Sequence, residues 1–215
     1  MTNEEKILEK RYQKTKDPVI TILGLGSLIG RITALRTCPN LINFRLARLD
    51  GYRRIFNKTD SFTVFHDEIP ENSLKYGCLS AIPDISIKNM IVSAFEIPFE
   101  ELIYLIEREF EYRLVEVDFK DRDGQTRQGV LCVGDYKDDQ ECEIVVKSDP
   151  VRFRRWKIFK EKYNGPMWRI DILPLQPYLD RCMRYAGEHG QDVLDNFLDL
   201  TFIGDGRTIR EYLSS

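Results

Sequence analysis

The chain has 215 residues, 42% of them hydrophobic, and a formal net charge of −3. That is enough apolar material for one full core, while the weak acidic balance gives no global field for nucleic acid or a membrane surface, and the apolar runs are too short to span a bilayer. Five cysteines without a C-x-x-C pair and no apolar leader at the start predict reduced thiols in a cytoplasmic setting, and with His66 and His189 as the only histidines any acid–base chemistry falls to a carboxylate rather than to a zinc site or a Ser-His-Asp triad.

Residues 2–17 are charged at nearly every other position and read as a frayed helix or mobile arm ending at Asp17-Pro18. Next comes a β-type apolar run that stops in a turn with Gly24, Gly26 and Gly30. Glycines there predict positive φ and uncovered N–H groups suited to a carboxylate or phosphate. Residues 33–40 are a short connection with room for one helical turn. Segments 44–56 and 61–65 read as strand, turn, strand around 57–60, and 77–82 and 90–97 as further strands.

Pro98 opens a predicted helix over 99–111, with an apolar stripe of Phe99, Leu102, Ile103, Ile106 and Phe110. At about 100° per residue, Glu109 falls toward that stripe, Glu107 near its boundary and Glu111 away from it. Strands at 113–119 and 129–133 follow, joined by the hairpin signal Asp123-Gly124, and 141–147 reads as one more strand. From Pro150 the pattern turns helical, at 153–163, 176–189 and 192–202, with a last turn capped by Thr208. The expected organisation is a mobile arm at 1–17, a mostly β domain at 18–150 and a helical extension at 151–215 packed on the same domain. The run of bases and aromatics at 152–157 reads as a solvated helix face, not a nucleic-acid surface.

Two chemistries compete for the glycine turn. Gly24-x-Gly26-x-x-x-Gly30 after a strand is close to a dinucleotide fingerprint, but that fold needs repeated βαβ units and the following residues turn into strand after strand. The alternative joins the turn to Glu109. Gly24-Leu25-Gly26-Ser27-Leu28, then Gly51-Tyr52-Arg53-Arg54-Ile55-Phe56, then Arg108-Glu109 before Tyr112-Arg113, resembles the γ-glutamylcyclotransferase superfamily, with its glutathione-degrading and plant AIG2-like branches.

That resemblance, which runs from about Ile20 to about Val133, implies an α+β fold: a mixed β-barrel with packed helices, here carrying a helical C-terminal extension. It implies a small γ-glutamyl substrate converted to 5-oxoproline and free amine, with neither metal nor cofactor, neither nucleic acid nor membrane. Glu109 would be the catalytic acid–base, and Gly24, Leu25, Gly26, Ser27, Leu28, Arg53 and Tyr112 would bind substrate. Leu25 stands where the family's loop has tyrosine, and the Glu109-to-Tyr112 interval is tighter than the family's, which leaves Glu107 and Glu111 as alternatives. A binding or interaction module without turnover is the other reading of the same fold.

Overall fold

A computed structural model describes residues 19–69 and 72–215; the arm at 1–17 lies outside the described residues. Five strands close on one another: β1 (Val19–Gly24), β5 (Met90–Pro98), β2 (Ile42–Leu49), β6 (Arg113–Lys120) and β7 (Thr126–Val133). β1–β5, β5–β2, β2–β6 and β6–β7 pair antiparallel, and the parallel pairing of β7 with β1, Ile22 beside Val130 and Leu23 beside Leu131, completes the ring. The result is an α+β protein on a closed mixed barrel, which leaves those strands without a free edge. A dinucleotide-binding sheet, open and covered by helices on both faces, is therefore not what this glycine turn enters.

β4 (Lys75–Pro83) joins β7 in parallel, and β3 (Tyr52–Thr59) pairs antiparallel with β4. The 151–215 segment contributes strands as well as helices. β8 (Leu173–Pro174) pairs with β4, and β9 (Thr201–Ile203) pairs parallel with β3. The helix expected over 192–202 accordingly stops at Asp199, because the residues after it are drawn into the sheet.

Helices fill the gaps between strands. They are α1 (Arg31–Thr37), α2 (Ser61–Phe65), α3 (Leu102–Arg108), α4 (Asp139–Val146), α5 (Pro150–Lys162), α6 (Gln176–Glu188), α7 (Gln191–Asp199) and α8 (Ile209–Leu213). Two of them stand where strands were expected, and the cause is the same in both. Asp60 accepts the Thr63 N–H at 3.0 Å and Asp138 accepts the Glu141 N–H at 3.0 Å, so an aspartate caps each short helix and outweighs its β-branched residues. α8 begins as expected at Thr208, in a capping box with Glu211.

The helix expected over 99–111 is shorter. Phe99–Glu101 form a 3₁₀ turn, α3 ends at Arg108, and Glu109 is its C-cap. Leu102, Leu105 and Ile106 are buried against Ile20, Ile22, Phe95 and Val130 of the barrel, while Ile103 is exposed. A separate cluster joins barrel residues such as Leu23 and Leu131 to Leu179, Cys182 and Phe197 of α6 and α7. The C-terminal helices thus share the barrel's core.

Candidate active site

One cavity of about 1100 Å³ is lined by the glycine turn, the end of α3, β3, β4 and the cavity-facing sides of α2, α5 and α6. That is at the upper end for small-molecule sites. Gly24 ends β1, Gly26 follows it, and Ser27–Ile29 make a 3₁₀ turn before Gly30 caps α1.

The loop glycines serve close approach and not a left-handed backbone. Gly26 has φ −109° and Gly30 φ −86°, whereas the positive-φ glycines among the described residues are Gly51, Gly124, Gly190 and Gly206. A Cβ on Gly24 would sit 2.5 Å from Ser93 Oγ and 2.6 Å from Leu28 Cβ, and one on Gly26 would sit 2.5 Å from the Tyr178 hydroxyl oxygen. Those separations exclude a side chain unless a neighbour moves. Ser93 Oγ donates to the Leu28 carbonyl at 2.8 Å, which fixes the turn from beneath.

Arg108 connects this turn to Glu109. Its Nη2 donates to Ser27 Oγ at 3.0 Å, its Nη1 donates to Thr37 Oγ1, and its Nε lies 2.9 Å from Glu109 Oε1. The Glu109 side chain is 16% exposed, so it touches the cavity while protein surrounds the rest of it. Burial pushes its carboxyl above the ordinary glutamate value, Arg108 pulls it back, and Glu111 pushes it up again, with a net rise.

Leu25, Gly26, Ser27, Leu28 and Tyr112 line the cavity with Glu109, whereas Gly24, expected among them, is not a lining residue: its space is closed by Ser93 and Leu28. Tyr112 presents its ring only, since its hydroxyl donates to the Leu79 carbonyl at 2.6 Å. Arg53 is not among the lining residues. It faces Asp84 at 3.7 Å and covers the Phe202 ring at 5.5 Å, because β3 alternates and β9 occupies its side.

Glu111 corrects a second expectation. The helical phasing that turned it outward ends with α3 at Arg108, and the bend from Glu109 to Tyr112 carries Glu111 inward. Its side chain is 1% exposed and paired with Lys58, also buried. Glu107 is half exposed and faces Arg154 at 3.8 Å.

Tyr178, near the start of α6, is a site residue that sequence reasoning missed. Its hydroxyl is the atom pressed against Gly26, and its ring meets Phe56 edge-on at 6.2 Å. Burial, then the nearby Cys182, Cys78 and Glu109, hold the phenol well above its ordinary value, so it stays a hydrogen-bond donor. No motif around Gln176-Pro177-Tyr178 marks it. Among the described residues no group of three His, Cys, Asp or Glu side chains is arranged to hold a metal ion, and no helix is long and apolar enough to cross a membrane.

No protein-family model matches this chain, and no curated protein does. Solved structures similar to it include an uncharacterized protein from Homo sapiens, 13% identical, covering 74% of this chain and 90% of that one with a TM-score of 0.45. A γ-glutamyl cyclotransferase is 12% identical over 73% of this chain and 89% of its own, with a TM-score of 0.44. A yeast γ-glutamyl cyclotransferase specific to glutathione is 15% identical over 80% and 98%, with a TM-score of 0.37.

Proposed function

We propose that the chain is a γ-glutamylcyclotransferase-like enzyme that converts a γ-glutamyl amine or peptide to 5-oxoproline and the free amine. The observation that carries this reading is Glu109: a desolvated carboxyl in a cavity wall, tied through Arg108 to the glycine turn. The chemistry asks for little more. A γ-glutamyl compound brings its own nucleophile, the α-amine, held near the γ-carbonyl by its own short chain.

In the proposed step the amine nitrogen bonds to the γ-carbonyl carbon and closes a five-membered lactam. Glu109, ionised, takes the proton that the attacking nitrogen must lose. The same proton then passes to the leaving nitrogen, the original amide C–N bond breaks, and Glu109 is again a carboxylate. A raised carboxyl suits both halves, because it holds the proton between them without keeping it. The backbone of the turn and the Tyr178 hydroxyl supply donors for the substrate's carboxylate or for the developing oxyanion. The experiment is a panel of γ-glutamyl compounds incubated with native protein and with Glu109→Gln, and 5-oxoproline followed by mass spectrometry. Product from the native protein alone supports the reading.

A binding module without turnover is favoured by one feature, Leu25, which is 8% exposed, packs with the core and brings no phenol to the turn. Saturable binding of γ-glutamyl compounds with no 5-oxoproline formed would select it.

A further inference from the structure

The cavity is much larger than a γ-glutamyl group requires, and its lining is not uniformly polar. Phe62 of α2, Tyr104 of α3 and Ile158 of α5 line it and are 62%, 52% and 39% exposed. Three helices therefore turn apolar surface toward one opening, where a solvated lining would ordinarily be polar. Besides Arg108, three arginines line the same cavity: Arg36 of α1, Arg155 of α5 and Arg181 of α6.

None of the three has a carboxylate within ion-pair distance among the described residues, whereas most of the lining acids are engaged. Glu107 faces Arg154, Glu109 faces Arg108, Glu111 faces Lys58, and Asp60 accepts from the Thr63 hydroxyl. Glu68 is the exposed exception. Arg155 is also held in place. Its guanidinium lies over the Phe65 ring at 4.6 Å and the Phe110 ring at 5.9 Å, and its Nε is buried with no hydrogen-bond partner. A guanidinium fixed on aromatic faces and left without an acceptor is suited to a carboxylate arriving with a ligand.

Resting on the cyclotransferase reading, we propose that this part of the cavity is a second subsite, which takes the leaving amine and selects leaving groups that combine an apolar or aromatic body with a carboxylate. The apolar body would cover Phe62, Tyr104 and Ile158, and the carboxylate would meet Arg155 with Arg36 or Arg181. Small neutral amines would fill neither part.

Four substrates test this as two independent contrasts: the γ-glutamyl derivatives of glycine, methylamine, phenylalanine and phenethylamine. Phenylalanine differs from phenethylamine, and glycine from methylamine, by the carboxylate alone. The expected order puts γ-glutamyl-phenylalanine first in kcat/KM and the methylamide last, each contrast being worth about tenfold or more. Phe62→Ala should remove the ring contrast and keep the carboxylate contrast; Arg155→Gln should do the reverse, and at least one of Arg36→Gln and Arg181→Gln, both at exposed positions where folding is not at issue, should weaken the carboxylate contrast. Equilibrium binding of the same four compounds to Glu109→Gln is measured alongside. Equal turnover of all four overturns the subsite and leaves the cyclotransferase reading in place. Ordered binding with no turnover by the native protein keeps the subsite and removes the enzyme reading. Neither binding nor turnover removes both.

Discussion

The Arg108 guanidinium lies 2.9 Å from Glu109 Oε1 through Nε and donates to Ser27 Oγ at 3.0 Å through Nη2. One cation therefore positions the candidate base against the turn that would hold the substrate, and it also tunes that base. Burial raises the Glu109 carboxyl and Arg108 lowers it, so the acid limb of kcat/KM should lie above an ordinary glutamate. In Arg108→Met the lowering influence is gone and the limb should move to still higher pH. A pH–rate profile of the two proteins checks this, and a limb that stays put or moves down would show that Arg108 does not act on the titrating group.

Glu109→Gln keeps size and hydrogen bonding but cannot transfer a proton, and 5-oxoproline formation should fall by roughly 10²–10⁴-fold. Its stability should move the other way. A carboxyl whose folded pKa is raised favours folding in its protonated form, a contribution fully present below the unfolded value and lost as pH rises through the folded one. At about pH 7 the ionised Glu109 is thus a net cost, and the glutamine variant should melt higher than the native protein. The difference should shrink as pH falls from the raised folded value to the ordinary glutamate value, below which both side chains are neutral. Melting curves across that range are the measurement; a variant that is less stable at neutral pH would contradict the desolvation of Glu109.

The contact between Gly26 and Tyr178 gives a prediction that couples two distant positions. Tyr178→Phe removes one donor at the turn and should cost about 10–100-fold in kcat/KM with little change in folding. Gly26→Ala should be poorly tolerated, since the new Cβ meets the Tyr178 hydroxyl at 2.5 Å. With that oxygen gone the next atoms are Leu79 Cδ1 at 3.5 Å and Tyr178 Cζ at 3.6 Å, ordinary contact distances. The double variant Gly26→Ala/Tyr178→Phe should therefore regain most of the stability that Gly26→Ala loses. Urea unfolding of all four proteins gives the coupling, and strict additivity would refute the proposed contact.

The β-rich order of the chain and the glycine turn were legible because alternation and turn glycines are local signals. Lys58, Glu111 and Tyr178 were not, each for a physical reason. Lys58 and Glu111 lie in separate elements and neutralise each other only after β3 and the segment behind α3 meet. The helical period holds only to Arg108, so it still describes Glu109, the cap, and no longer describes Glu111. Tyr178 reaches the turn through the packing of a helix far along the chain, which no local period encodes. In the short helices α2 and α4 the β-branched residues favour a strand locally, and an aspartate cap on each decides for the helix.

The largest reversal concerns Glu111. Phased outward, its substitution by glutamine would be harmless; in the structure it is a buried partner of Lys58, and its second oxygen is buried with no hydrogen-bond partner. Removing one member of such a pair strands the other charge and costs about 3–5 kcal/mol, whereas replacing both by apolar residues is far milder. Glu111→Gln and Lys58→Met should each lower the urea midpoint strongly at unchanged m, and Lys58→Met/Glu111→Leu should recover much of the loss. The two single variants should also pull the Glu109 titration in opposite directions. Glu111 raises that carboxyl and Lys58 lowers it, so the acid limb of the rate should move down in Glu111→Gln and up in Lys58→Met. Equal destabilisation with opposite pH shifts separates an electrostatic pair beside the base from a general loss of structure, which would move both profiles the same way.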